Sequence, residues 1–136
     1  METSSNHLYE NLGKLFYAVS ASDKVVRNEE FDALHKLVYT HWLAMDDIQD
    51  DFGTDAAYQI EVVFEWLKEQ ELDAETCFND FAYFKSQHES LFNAKIDRTI
   101  WRTVIAIADA FHGKNKAERE MLAKIKVLLI DRKSVV

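Results

Sequence analysis

Hydrophobic residues recur every three or four positions along most of this chain, which is the spacing of one face of an α-helix. The four clearest stripes are Leu8, Leu12, Leu15, Phe16 and Val19; Phe31, Leu34, Val38 and Trp42; Ile96, Ile100, Val104, Ile107 and Phe111; and Met121, Leu122, Ile125, Leu128 and Leu129. Segments with the period of two that is typical of strands are hard to find. The pattern therefore predicts an all-α protein, a compact bundle of about six to seven helices.

Capping residues indicate where several of these helices begin. Thr54 and Asp73 can each cap a helix, and Asn115 with Glu118 forms the N-x-x-E capping box that precedes the last one. The buried faces of the two middle helices would carry Ile60, Val63, Phe64 and Leu67, and Cys77, Phe81 and Phe84. The helix from Ile96 is apolar nearly all round, so we predict that it is the central helix of the bundle.

Two segments, residues 12–40 and 100–128, look like copies of one unit separated by 88 positions. The matching pairs are Ala18 and Ala106, Val19 and Ile107, Glu30 and Glu118, Leu34 and Leu122, Lys36 and Lys124, and Leu37 and Ile125. Each copy reads as an apolar helix, a polar corner and a second helix with acids in its first turn. The repeat predicts two related helix hairpins, with any chemistry concentrated at their corners.

Composition agrees with a single helical domain over residues 1–136. The chain has no proline and three glycines, and 48% of its residues are hydrophobic, so helices can run long and bury one core. We expect residues 1–6 and 132–136 to fray. No signal peptide or membrane span is visible, which favours a soluble, cytoplasmic protein without membrane insertion. The lone Cys77 predicts a small core residue.

Charge is distributed unevenly within the net −8 of the chain. Residues 46–75 contain eleven acids and one base, whereas residues 76–136 contain eleven bases and seven acids. An acidic middle repels nucleic acid and favours a protein partner with a basic or amphipathic segment. The candidate partner-binding residues are Asp46, Asp47, Asp50 and Asp51. The competing interpretation is an ordinary solvated face that keeps the protein soluble.

The two polar corners hold the residues most able to bind a metal ion. These are Asp23, Glu29 and Glu30 in the first corner, and Asp109, His112 and Glu118 in the second. If the hairpins pack about a pseudo-twofold axis, their carboxylates and one imidazole could converge on a divalent cation. The competing interpretation is that acids in first helical turns complement the helix dipole without binding anything.

A di-metal enzyme is a remote alternative. Asp32 and His35, like Asp109 and His112, are three residues apart, which is the spacing of carboxylate–histidine pairs in di-iron bundles. That reading requires inward-facing glutamates, for which Glu61 and Glu65 are available, and interior histidines among His35, His88 and His112. Since no other catalytic motif is present, we do not expect an enzyme.

The corners resemble those of the TerB-like family, which is named after a tellurite-resistance protein and includes the TerB module of DjlA. The family signature is an alanine-rich helix ending in Ala-Asp-Gly, followed a few residues later by Glu-Glu. Here Asp23-Lys24 with Glu29-Glu30 is similar to its first occurrence, and His112-Gly113 with Glu118 to its second; Lys24 replaces a glycine, and His112 an aspartate. The resemblance implies a bundle of about seven helices, divalent-metal binding, a role in stress or tellurite resistance, and no catalytic activity.

Overall fold

The computed structural model describes residues 4–43, 57–110 and 115–131, which form six α-helices and no strand. The helices are α1 (Ser4–Ser20), α2 (Asn28–Leu37), α3 (Gln59–Gln70), α4 (Ala74–Gln87), α5 (Ala94–Asp109) and α6 (Lys116–Asp131). A 3-10 turn at Ala21–Asp23 follows α1, a π-helical turn at Val38–Trp42 extends α2, and a 3-10 turn at Glu89–Leu91 precedes α5. The predicted all-α bundle is confirmed.

The central helix is α1, which contacts α3, α4, α5 and α6. Every residue from Leu15 to Ala21 is buried. The prediction that α5 is central was wrong, because Arg98, Arg102 and Asp109 bring one side of α5 to the surface. The amphipathic α5 covers α1, α2 and α6 with its stripe from Ile96 to Ile107.

Gly13 allows α1 and α3 to approach closely. A Cβ atom at this position would lie 2.8 Å from the Ile60 carbonyl oxygen and 2.9 Å from the Val63 Cβ, which is closer than such atoms normally pack. Since a carbonyl oxygen of the helix backbone cannot move aside cheaply, glycine is the residue that fits here. The close approach of α3 to α1 therefore depends on the absence of a side chain at Gly13.

The two predicted hairpins correspond to α1–α2 and α5–α6, and they contact each other crosswise; α5 and α6 also pack on each other, whereas α1 and α2 barely touch. Helix α2 lies on α5, and α6 lies on α1. This is the pairing that a pseudo-twofold relation between the hairpins requires. Trp42, at the end of the π turn, strengthens one of these contacts, since its buried Nε1–H donates to Thr103 Oγ1 on α5 at 3.1 Å.

Helix starts were predicted well where the cap is local. Asp73 caps α4, because its Oδ2 accepts the Thr76 N–H at 2.9 Å. Asn93 caps α5 in the same way through Ile96 N–H, at 2.9 Å. Helix α1 begins at Ser4, and the fraying of residues 1–6 and 132–136 stays a prediction. Thr54, the predicted cap of α3, lies outside the described residues.

None of the helices in the described ranges is both long enough and apolar enough to cross a lipid bilayer.

Candidate functional site

The first corner turns sharply through a lysine in a left-handed backbone conformation. Lys24 has φ 71° and its N–H donates to Ala21 O at 2.8 Å. Glycine adopts this conformation without a Cβ penalty, whereas lysine incurs a small steric cost. The turn fixes Asp23 just ahead of it, where Asp23 Oδ1 accepts the Val25 N–H at 3.0 Å.

Each corner places a glutamate three residues into the helix that follows. In the first, Arg27 precedes α2 and its N–H donates to Glu30 Oε1 at 3.0 Å. In the second, Asn115 and Glu118 form a complete capping box: Glu118 N–H donates to Asn115 Oδ1 at 2.9 Å, and Asn115 N–H donates to Glu118 Oε1 at 3.2 Å. The predicted capping box of the last helix is confirmed. Arg27 has no acceptor side chain, so the first corner has only half of this arrangement.

The two corners meet and form one buried network. Asp23 Oδ2 accepts hydrogen bonds from Arg27 Nη1 at 2.9 Å and from Asn115 Nδ2 at 2.6 Å, so the first corner is joined to the second. Glu30 Oε1 also accepts from Ser20 Oγ at 2.6 Å, and Glu30 Oε2 lies 3.5 Å from Arg27 Nη1. We call this set the corner cluster; its members are Ser20, Asp23, Arg27, Glu30, Asn115 and Glu118.

Glu30 and Glu118, the two matching glutamates of the repeat, face each other inside the cluster. Each is only 1% exposed. Burial, together with a hydrogen bond between the two carboxyl groups, raises the pKa of Glu118 to about 7. Glu118 Oε2 is buried without a hydrogen-bonding partner of its own among the described residues. Two adjacent buried carboxylates cannot both stay ionised cheaply, and one proton between them relieves the repulsion.

Asp23 is stabilised in its ionised form. Burial alone would raise its pKa, but hydrogen bonds from Arg27, the Val25 N–H and Asn115 outweigh that effect, so the pKa of Asp23 lies below its usual value. The guanidinium of Arg27 also attracts the carboxylate directly. The cluster therefore contains one firmly charged ion pair, Asp23 with Arg27, beside two buried glutamates, of which Glu118 has a raised pKa.

These contacts fit an internal network better than a metal site. Among the described ranges, no group of three or more His, Cys, Asp or Glu side chains is placed to hold a metal ion. Arg27 brings a positive charge to within 3.5 Å of both Asp23 and Glu30, so a dication there would be repelled. Of the other predicted ligands, Glu29 and Asp109 are exposed, and His112 lies outside the described residues.

The residues suggested for a di-metal centre are not collected in the interior. His35 is an exposed residue of α2, and its Nδ1 lies 2.7 Å from Glu61 Oε1 on α3. His88 is also exposed and stacks on Phe84 with ring centroids 4.3 Å apart. Cys77 is buried, and burial raises the pKa of its thiol to about 11, which makes it a core residue rather than a nucleophile.

The acidic part of the chain forms a second candidate region, on α3 and the turn into α4. Residues 57–75 contain six acids and a single base, Lys68. Their acids are Glu61, Glu65, Glu69, Glu71, Asp73 and Glu75, and all but the half-buried Glu61 and Glu65 are exposed. We call this set the acidic side. The predicted partner-binding residues Asp46, Asp47, Asp50 and Asp51 lie outside the described residues.

Comparison of this chain with protein-family models, curated proteins and solved structures found no match. The TerB-like resemblance therefore stays a prediction that rests on the corner residues alone.

Sequence reasoning found the corner acids but missed the side chains that neutralise them. Arg27 stands four residues after Asp23 and three before Glu30, which is a usable signal for an ion pair at the start of a helix. The role of Ser20 could not be predicted in this way, because Ser20 and Glu30 lie at opposite ends of the corner. The role of Asn115 as a link to Asp23 depends on the packing of the two hairpins, which no local pattern reveals.

Proposed function

We propose that this protein is a non-catalytic helical module of TerB-like type that binds a basic, amphipathic segment of another protein. The observation that carries the proposal is the acidic side, where six carboxylates and one lysine occupy residues 57–75. Such a concentration of one sign of charge attracts a segment of the opposite sign and accelerates its association.

The acidic side supports binding because most of its carboxylates face outward. Glu69, Glu71 and Asp73 are exposed at the end of α3 and in the turn that follows. Ion pairing within the protein neutralises only part of the charge, as in the contact between Lys124 and Glu75. Exposed carboxylates of this kind add little to folding stability, so their concentration is better explained by contact with a basic partner.

The corner cluster supports the absence of catalysis. Its two glutamates, Glu30 and Glu118, are almost fully buried, and their hydrogen bonds run to Ser20, Arg27 and Asn115. A general acid or base has to reach its substrate within hydrogen-bonding distance. The polar groups of the cluster join the two hairpins instead.

The test is the binding of synthetic peptides, measured by isothermal titration calorimetry. A peptide with lysines along one side of a helix should bind, and its affinity should fall as salt rises, because exposed charges are screened. The same peptide with glutamates in place of lysines should not bind. Glu69→Lys should weaken binding, whereas the matched change Glu89→Lys, on the turn between α4 and α5, should not. Failure of the wild-type protein to bind any basic peptide would reject the proposal.

The alternative function is that of a divalent-metal-binding stress protein, and one observation favours it. Glu118 Oε2 is buried with no hydrogen-bonding partner other than Glu30 among the described residues, as an unsaturated metal ligand would be. A thermal melt of chelator-treated protein with calcium, magnesium, manganese, zinc or nickel tests it. A site filled to about one hundred times its dissociation constant stabilises the fold by about 2.7 kcal/mol. A rise in midpoint that Glu118→Gln abolishes would favour this alternative.

A further inference from the structure

A groove runs between α2 and α3, next to the acidic side, and it is lined by apolar and acidic side chains together. Its volume is about 450 Å³, and its lining residues are Phe31, Glu61, Val62, Glu65, Trp66 and Glu69. Phe31 packs on the core residue Phe64 with ring centroids 5.6 Å apart, so the apolar part of the groove is continuous with the core.

Two large hydrophobic side chains at this groove are more than half exposed. Trp66 is 55% exposed and Val62 is 56% exposed, and they are one helical turn apart on α3. Tryptophan is highly buried on average, and exposed apolar patches rimmed by polar groups mark interaction sites. Tryptophan is also among the residues that contribute most binding energy at protein interfaces.

The carboxylates of the groove follow a helical spacing. Glu61, Glu65 and Glu69 are four residues apart, which places them at intervals of about 6 Å along one side of α3. Glu61 Oε2 is buried with no hydrogen-bonding partner among the described residues. Glu61 Oε1 already lies 2.7 Å from His35 Nδ1, so Glu65 and Glu69 are the carboxylates of this row that a cationic side chain from outside the protein reaches most directly.

We infer that the α2–α3 groove is the docking site for a basic amphipathic α-helix of a partner protein. The partner's apolar residues pack on Val62 and Trp66, and its lysines or arginines, four residues apart, pair with the glutamates of α3. A helix laid alongside α3 repeats its charges at the same 6 Å interval, about one pair per turn. This inference rests on the proposed function and names the site and the shape of the bound segment.

Two segments could be considered for the groove: a basic helix of a partner protein, or the chain's own connection between α2 and α3. Their charges favour the first. Residues 44–56 contain five aspartates and no lysine or arginine. A segment of that composition has the same sign of charge as the groove and would be repelled from Glu61, Glu65 and Glu69. A basic helix from another protein satisfies both the apolar and the charged parts of the groove.

The experiment uses the full chain and a helical peptide with leucines along one side and lysines at every fourth position beside them. Calorimetry on Trp66→Ala should show binding that is at least about tenfold weaker than wild type, as expected for a central anchor. Trp66→Phe should retain most of the affinity. The matched control is Tyr83→Ala on α4, because Tyr83 is another exposed aromatic residue, at 69%. It should bind within about twofold of wild type, since loss of a side chain remote from an interface leaves affinity nearly unchanged.

Thermal melts of the variants check that they fold. Because Trp66 is exposed, its replacement should leave the midpoint of thermal unfolding unchanged. If wild type binds the lysine peptide in a salt-sensitive way but Trp66→Ala binds equally well, the groove is not the site, although the proposed function stands. If wild type binds no basic peptide, both fail. Self-association of the free protein that Trp66→Ala abolishes would identify a second copy as the occupant and overturn the inference.

Discussion

The corner cluster and the α2–α3 groove both contain several carboxylates, but they use them in opposite ways. In the cluster, Glu30 and Glu118 are buried and every bond runs to another residue of the same chain. In the groove, Glu65 and Glu69 lie at the surface beside the exposed Trp66. Carboxylates that are bonded internally stabilise a fold, whereas carboxylates that face solvent beside apolar side chains are available to a partner.

The corner glutamates stand out in the sequence because of the repeat, not because of their exposure. A matched pair such as Glu30 and Glu118 is conspicuous in sequence because both lie three residues into a helix, at the same point of a duplicated unit. That position serves capping first. The duplication brings the two acids together, and their charge is offset in two ways: Arg27 lies 3.5 Å from Glu30, and the pKa of Glu118 is raised, which favours its neutral form. The corners hold the hairpins together, and the groove lies on the neighbouring face.

The largest expected effect comes from removing a buried member of the cluster. Glu30→Ala takes away the acceptor for Ser20 Oγ and the Arg27 N–H and leaves these donors unsatisfied, so the free energy of unfolding should fall by about 3 kcal/mol. The neighbouring change Glu29→Ala, at an exposed position, should cost less than about 0.5 kcal/mol. Urea denaturation measures both. Equal costs for the two variants would show that Glu30 has no special structural role.

The second-largest expected effect is a pH dependence of the free energy of unfolding, which arises from Glu118. Its pKa is 4.5 in the unfolded chain and about 7 in the folded protein, so between these values the folded state holds a proton that the unfolded state has lost. The stabilisation is therefore complete below pH 4.5 and is lost as pH rises through 7, by on the order of 3 kcal/mol.

The matched variant is Glu118→Gln, which resembles the protonated carboxyl and cannot ionise. Unfolding of wild type and variant is measured by urea denaturation from pH 4.5 to 8, and the difference between the two isolates the contribution of this one group. The variant should become the relatively more stable protein as pH rises. A difference that does not change with pH would mean that the pKa of Glu118 is not raised in the folded protein.

The link between the corners predicts a smaller effect at two similar asparagines. Asn93 and Asn115 both cap a helix, but only Asn115 also donates to Asp23 across the corners. Loss of a cap costs about 1 kcal/mol, and loss of the cross-corner bond should add about 1 kcal/mol more. Asn115→Ala should therefore lower the midpoint of thermal unfolding more than Asn93→Ala does. The reverse order would contradict the role of Asp23 as a bridge.

Interactions between residues that are close in the sequence were predicted, whereas those between distant parts of the chain were not. The Asp73 cap and the capping box of Asn115 and Glu118 were predicted because each lies within three residues. The central position of α1 was not, because the apolar character of α5 says nothing about which helix is surrounded. The burial of Glu30 could not be predicted either. A glutamate in the first turn of a helix has the same sequence context whether it faces solvent or another hairpin.

The candidate sites show the same limit. Corner acids could be proposed from the repeat, but their neutralisation by Arg27 and Asn115 depends on how the hairpins cross. The predicted buried face of this helix, Ile60, Val63, Phe64 and Leu67, already left Trp66 outside it, but tryptophan is highly buried on average, so its exposure gave no site until the structure was known. Spacing of four residues in Glu61, Glu65 and Glu69 was visible but had no meaning until the groove beside them was known.

The smallest expected effect on stability is at the groove itself. Glu65→Gln combined with Glu69→Gln removes two charges from the surface of α3, so the free energy of unfolding should change by less than about 0.5 kcal/mol. Thermal melts at low and high salt measure this. A large loss of stability would mean that these glutamates, like those of the corner cluster, hold the fold together.

The most direct test of the contrast between cluster and groove is calorimetric titration of the lysine peptide into three proteins under one buffer condition. These are wild type, the cluster variant Glu118→Gln, and the groove variant that combines Glu65→Gln with Glu69→Gln. We expect the cluster variant to bind within about twofold of wild type, and the groove variant to bind about tenfold more weakly, since lost interfacial charge pairs reduce affinity. If the cluster variant loses binding and the groove variant keeps it, the assignment of structure to the corners and of binding to the groove is reversed.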